Sequence, residues 1–211
     1  MPRPGRNEPR ILRFFVLTSC LLFLAGCESA PPEAKKAEKA PEAVTGLHAL
    51  YRMYSYSKQW SPDAEVYELN SIRVQGVKEE NGKAGGWRVR FVSPSLSQAR
   101  TYTFAVTEVS MSLHEGINGG KPESWSGGAS SMKTFRIQAA KVDSDKAWEV
   151  ASKKGAEYGA KNPTMPITYQ LAQTSSYDNA AWRVIWGESA GTSSYSILVD
   201  ASTGEYVRTL H

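Results

Sequence analysis

The sequence predicts an α+β fold in which two similar units each pack a helix on an antiparallel sheet. Apolar and polar residues alternate around a Trp-Arg-Val run at residues 86–91 and again at 181–186, and each run is followed by a second strand-like segment. A stretch with helical periodicity and one further strand lie before each of these pairs. The order helix, strand, strand, strand is therefore expected twice.

The first 26 residues have the composition of a secretory signal. Residues 1–13 carry four arginines and one glutamate, and residues 14–25 form an uncharged run of twelve. Twelve residues are too few to cross hydrocarbon about 30 Å thick, which needs about 20. A basic segment followed by a short apolar one instead predicts an exported protein from which residues 1–26 are removed.

Leu24-Ala25-Gly26-Cys27 resembles the lipobox of bacterial lipoproteins. The resemblance implies that Cys27 carries lipid and becomes the first residue of the mature chain. Each buried methylene contributes about 0.8 kcal/mol, so stable anchoring needs more than one acyl chain. Glu28 follows the cysteine where an aspartate would be the familiar inner-membrane retention signal. We therefore expect a chain attached to the outer membrane and facing the periplasm.

Residues 27–45 are expected to form the lipidated cysteine and a flexible tether, because alanine, lysine, glutamate and proline alternate there with nothing to bury. Cys20 leaves with the signal and Cys27 carries lipid, so no disulfide is expected in the mature chain. Beyond residue 26 the chain has 21 basic and 20 acidic residues. This near balance gives no reason to expect nucleic-acid binding.

The first α+β unit is assigned to residues 46–118. Its helix is predicted from one apolar stripe, formed by Leu47, Leu50, Tyr51 and Tyr54. Thr45 is the candidate N-cap. Its strands are predicted at residues 66–77, 86–91 and 102–106.

A linker rich in glycine and serine is assigned to residues 119–133, and the second unit to residues 134–211. Ser144 is expected to cap the second helix. That helix is predicted to place Trp148, Ala151 and Tyr158 on one stripe and to end near Gly159 and Pro163. Its strands are predicted at 167–174, 182–186 and 195–199.

The end of the second unit resembles a PepSY domain. The segment 182–186 (Trp-Arg-Val-Ile-Trp) is followed by a strand that closes on Asp200-Ala-Ser-Thr-Gly204-Glu. Asp200 can accept hydrogen bonds from amides in this turn, and Gly204 can supply a positive φ. The resemblance covers residues 136–208 and implies a helix on an antiparallel sheet. Since the family occurs in protease propeptides, it also implies a binding or protease-restraining module.

Four side chains are candidates for partner binding. Arg88, Arg90 and Arg183 occupy the outward positions of their strands, where they could set the charge that a partner meets or keep that face soluble. Trp125 lies in a polar loop, where an exposed aromatic would be a contact residue. Packing of Trp125 against a neighbouring sheet is the alternative. The core, in contrast, is expected to contain Trp87, Trp148, Trp182 and Trp186.

No motif in the sequence predicts catalysis, and no metal or cofactor is expected. His48, His114 and His211 are far apart and lack metal-ligand spacing. Neither a phosphate-binding loop nor a Gly-x-Ser-x-Gly nucleophile elbow is present. We therefore expect a protein that is not an enzyme.

The sequence leaves three functions open. The first is a lipid-anchored envelope protein that binds a protein or peptide partner, including a protease that it restrains. The second is a small-ligand carrier or enzyme with its site between sheet and helices. The third is a structural envelope component that oligomerises.

Overall fold

The computed structural model describes residues 40–127 and 131–211, which belong to one compact unit. Cys27 and most of the tether lie outside these residues. No helix in the described ranges is long and apolar enough to cross a membrane. The elements are β1 (Val44–Thr45), α1 (Gly46–Trp60), β2 (Glu65–Ile72), β3 (Lys83–Ala84), β4 (Gly86–Ser93), β5 (Gln98–Ala105), β6 (Gly116–Gly119), β7 (Glu123–Ser124), β8 (Met132–Lys133), a 3-10 turn (Ile137–Ala139), α2 (Ser144–Lys154), α3 (Ala156–Lys161), β9 (Ile167–Thr174), β10 (Tyr177–Trp186), β11 (Tyr195–Asp200) and β12 (Tyr206–Leu210).

One antiparallel sheet dominates the fold, which confirms the α+β prediction. Its strands run in the order β12-β11-β10-β9-β2-β4-β5-β6, with β7 added beside β5 and β8 beside β9. The centre of the sheet is the β2–β9 pair, in which Leu69 lies opposite Leu171. The segments assigned to the two units thus lie in one sheet and above one core.

Equivalent contacts recur on the two sides of this central pair. The indole nitrogen of Trp87 donates to the carbonyl oxygen of Val44 at 3.1 Å, and that of Trp182 donates to Val142 at 2.8 Å. Each acceptor lies two residues before a helix, α1 or α2. The two indoles meet edge to face with ring centroids 6.2 Å apart. In both Trp-Arg-Val runs, therefore, the tryptophan side chain donates a hydrogen bond to the backbone just before a helix and so holds that helix start against the sheet.

Helix α1 buries a different stripe from the predicted one. Leu47 and Leu50 face the sheet as expected, but Tyr51 is 49% exposed, so its place in the predicted core stripe is wrong. Ala49 and Met53 are fully buried instead. Ala49 and Met53 belong to the same core cluster as Trp87 and Trp182, whereas the Tyr51 ring lies toward solvent.

The helix start at α2 also differs from the prediction. Asp143, not Ser144, is the N-cap residue, and its carboxylate accepts from the Ser144 amide. Ser144 is fully buried and its hydroxyl accepts from the amide of Gly46, the first residue of α1. Asp143 likewise accepts from the Leu47 amide at 2.8 Å. These two residues therefore cap the first helix from the second half of the chain, because the two helix N-termini meet at the centre of the fold.

The predicted second helix is interrupted at Gly155, between α2 and α3. A Cβ atom at Gly155 would lie 2.7 Å from the ring of Trp186, so this close approach requires glycine. The strand predicted over 66–77 ends at Ile72, and residues 119–133 contribute β7 and β8 to the sheet rather than serving only as a linker.

Candidate functional site on the open face of the sheet

The two faces of the sheet are built from alternate residues of each strand. Trp87, Val89 and Phe91 of β4 are fully buried under the helices, whereas Arg88 is exposed and Arg90 partly exposed on the opposite face. In β10, Trp182 and Val184 are buried under the helices and Arg183 points the other way. We call the side without helices the open face.

Strand register brings two of the predicted arginines into one line across the open face. Arg88 lies opposite Asn70, Asn70 opposite Gln170, and Gln170 opposite Arg183. We call these four residues the cross-strand row. With neighbouring strands about 4.8 Å apart, its two arginine backbones are separated by about 14 Å. The row thus has a guanidinium group at each end and two side-chain amides between them.

Arg88 is the most available group of this row. Its guanidinium group makes no hydrogen bond or ion pair with the described part of the chain, although its backbone is paired within the sheet. The side-chain amide of Gln170 donates at 3.3 Å to the carboxylate of Glu68, a residue that lies beside the row. A small pocket of about 210 Å³ is lined there by Arg88, Asn70, Glu68, Arg90 and Thr101.

Arg90, which also lines this pocket, meets Trp125 farther along the open face. The guanidinium carbon of Arg90 lies 5.3 Å from the Trp125 ring centroid, and Arg90 donates to Glu123 at 3.1 Å. Trp125 is partly buried and packs edge to face on Tyr67, with centroids 4.8 Å apart. The indole thus covers part of the sheet. Trp125 packs against the sheet, which was the alternative, and does not project into solvent as a contact residue.

A cleft of about 540 Å³ adjoins the other end of the row. Its floor is formed by Gln170, Ala172, Ala181, Arg183 and Leu198. Its rim includes Met132, Arg208 and Leu210. Sequence analysis missed Arg208, since no local pattern indicates that β12 folds back to place it opposite Leu198.

Asp200 and Gly204 shape the turn between β11 and β12. The Asp200 carboxylate accepts from the amides of Ser202 and Thr203 at 2.7 and 2.8 Å, and from the side chains of Tyr177 and Asn179. Burial alone would raise its pKa, but these hydrogen bonds outweigh burial and hold the pKa of Asp200 well below its ordinary value. Gly204 has φ +79°, as the tight reversal requires.

The space between the helices and the centre of the sheet is filled by side chains. Leu50, Met53, Trp87 and Trp182 are all fully buried there. Trp186 is 3% exposed and Trp148 is partly buried, so the four expected core tryptophans all pack in or against the core. In the described ranges, no group of three or more His, Cys, Asp or Glu side chains is placed to hold a metal ion.

No protein-family model matches the chain, and no curated protein matches it. Among solved structures, a candidate lipoprotein from Clostridium difficile 630 is similar, with a TM-score of 0.44 and 11% sequence identity. The match covers 76% of this chain and 91% of that chain. A likeness of this size assigns neither a family nor a function.

Proposed function

We propose that the chain is a lipid-anchored protein of the bacterial envelope whose open face binds a protein or peptide partner. Cys27 carries the anchor in this proposal, on the outer membrane and facing the periplasm. The chain acts by binding and not by catalysis.

The observation that carries the proposal is the cross-strand row. Its exposed guanidinium at Arg88 and its amides offer hydrogen-bond donors and acceptors that the described part of the chain leaves largely unused. Helices cover the opposite face of the sheet, while this part of the open face is left to solvent. Guanidinium groups and amides suit the backbone and carboxylates of a polypeptide partner.

The two halves are proposed to be a PepSY-like pair joined through β2 and β9. The repeated order of helix and strands supports this, as do the matching tryptophan contacts to Val44 and Val142. Restraint of a protease is the narrower form of the function, and it rests on the PepSY resemblance.

Affinity capture from envelope extracts, with the full-length chain in detergent as bait, tests the open face. Arg88→Glu reverses the charge of an exposed side chain that makes no hydrogen bond or ion pair with the described part of the chain, so we expect loss of the bound partner. Arg52→Glu, on α1 across the sheet, is the control and should retain it. Capture of the same proteins by both variants would rule out the open face. If the partner is a protease, adding the wild-type chain should slow its hydrolysis of a peptide substrate.

The anchor is tested by membrane fractionation. Cys27→Ser should move the protein from the membrane pellet to the soluble periplasmic fraction, because the acceptor thiol for lipid is lost. Cys20→Ser, which changes a residue within the segment expected to be removed, should leave the protein in membranes. A Cys27→Ser protein that stays in the pellet would contradict the lipobox assignment.

A further inference from the structure

The cleft beside Arg183 combines an apolar floor with two arginines. Ala172, Ala181 and Leu198 lie on its floor, and Met132 and Leu210 on its rim. Arg183 and Arg208 lie on either side of Leu198 in strand register. No aspartate or glutamate is among the described lining residues. The cleft therefore has positive charge without an acidic side chain to balance it.

Both guanidinium groups are held in place while keeping donors free. The Arg183 Nε atom donates to the Ser196 hydroxyl at 2.7 Å, and its terminal nitrogens have no hydrogen-bond partner in the described part of the chain. Burial lowers the pKa of Arg183 from its ordinary value, which reflects the water lost around it. Arg208 donates from Nη2 to the Ser176 hydroxyl at 2.7 Å, and its Nε atom is buried with no partner in the described chain.

Terminal guanidinium nitrogens of both arginines remain available for an acceptor, and a carboxylate is the acceptor that suits a cationic donor best. Hydrogen bonds between arginine and a carboxylate are short, charge-assisted and able to form in parallel pairs. A pair of guanidinium groups beside apolar carbon surface therefore selects a ligand that carries a carboxylate next to an apolar group.

We propose that this cleft binds the C-terminal carboxylate of a partner peptide whose last side chain is apolar. The carboxylate lies between Arg183 and Arg208, and the last side chain lies on the Ala172–Leu198 floor. The preceding residues continue over Gln170 and Asn70, whose amides suit a peptide backbone. A long acyl chain fits less well, because the surface beyond the cleft is polar. This inference rests on the proposed function and specifies the C-terminal residue of the partner.

The test is fluorescence polarisation of a labelled hexapeptide of glycine and serine ending in leucine, added to the full-length chain in detergent. The free acid should bind at least tenfold more tightly than the same peptide as a C-terminal amide, as the loss of a charge-assisted contact implies. A free-acid peptide ending in glycine should also bind more weakly. Equal affinity for acid and amide would overturn the proposal.

Variants separate this cleft from the rest of the open face. Arg208→Gln and Arg183→Gln should each weaken binding of the free acid about tenfold and remove the preference over the amide. Arg52→Gln is the control and should change neither, with circular dichroism confirming that all three variants are folded. Unchanged affinity in both cleft variants would overturn the proposal.

Two further results would also count against the cleft. Tight binding of octanoate without binding of the free-acid peptide would make the occupant a fatty acid. Failure of every peptide, together with partner capture that still depends on Arg88, would refute the C-terminal carboxylate and leave the proposed function standing. Failure of both experiments would refute the two together.

Discussion

Ser144→Ala is expected to destabilise the fold strongly, because its hydroxyl joins three distant segments. Ser144 is fully buried, and its Oγ atom accepts from the Gly46 amide at 2.7 Å and donates to the Gly82 carbonyl at 2.5 Å. Alanine would leave both backbone groups without this partner. Each unsatisfied buried group costs about 1–3 kcal/mol, so for two groups the free energy of unfolding should fall by about 2–6 kcal/mol.

Urea unfolding followed by tryptophan fluorescence measures this loss. Trp87 and Trp182 lie beside the two helix starts, so their emission reports on the affected region. Ser152→Ala is the matched control, since the Ser152 hydroxyl only donates to the Glu149 carbonyl of its own helix at 3.2 Å. It should stay within about 0.5 kcal/mol of the wild type. A Ser144→Ala protein as stable as this control would refute the cross-capping role.

Two other predictions follow from close packing and from a buried carboxylate. Gly46→Ala should lower the free energy of unfolding by about 1–3 kcal/mol, because the new Cβ atom would lie 2.3 Å from the Trp182 ring. Gly191→Ala is the control: a Cβ atom there would have nothing within 4 Å, so the free energy of unfolding should not fall. Asp200 has a lowered folded-state pKa, so its stabilising contribution is complete above the unfolded pKa of about 3.9 and is lost as pH falls below it. Urea midpoints at pH 7 and pH 3 should therefore differ less in Asp200→Asn than in the wild type; an equal difference would contradict this.

Local periodicity was sufficient to locate the six longest of the twelve strands in the described part of the chain. The strand predicted at 167–174 matches β9, and the one at 195–199 falls within Tyr195–Asp200. Alternation of apolar and polar residues reports directly on which side of a strand is buried, so it also placed Arg88 and Arg183 away from the core. Tyr51 was misplaced because helical spacing alone does not tell which of two neighbouring apolar stripes faces the sheet.

The cleft could not be predicted in the same way. It depends on Met132 of β8, Arg183 of β10 and Arg208 of β12, which come together only when three separate strands join the sheet. Arg208 has an ordinary polar neighbourhood in the sequence, and the missing partner of its Nε atom is a property of the packed fold.

The sequence by itself determined the α+β class, the location of the six longest strands and the side of β4 and β10 that carries Arg88 and Arg183, since these follow from short-range patterns of polarity. Only the tertiary structure decided that β2 pairs with β9, which aligns Arg88 with Arg183, and that Ser144 caps α1 from the other half of the chain. Contacts between segments about a hundred residues apart depend on which surfaces fit together once the core has formed. A hydroxyl or a guanidinium has the same local signature whether or not such a partner reaches it.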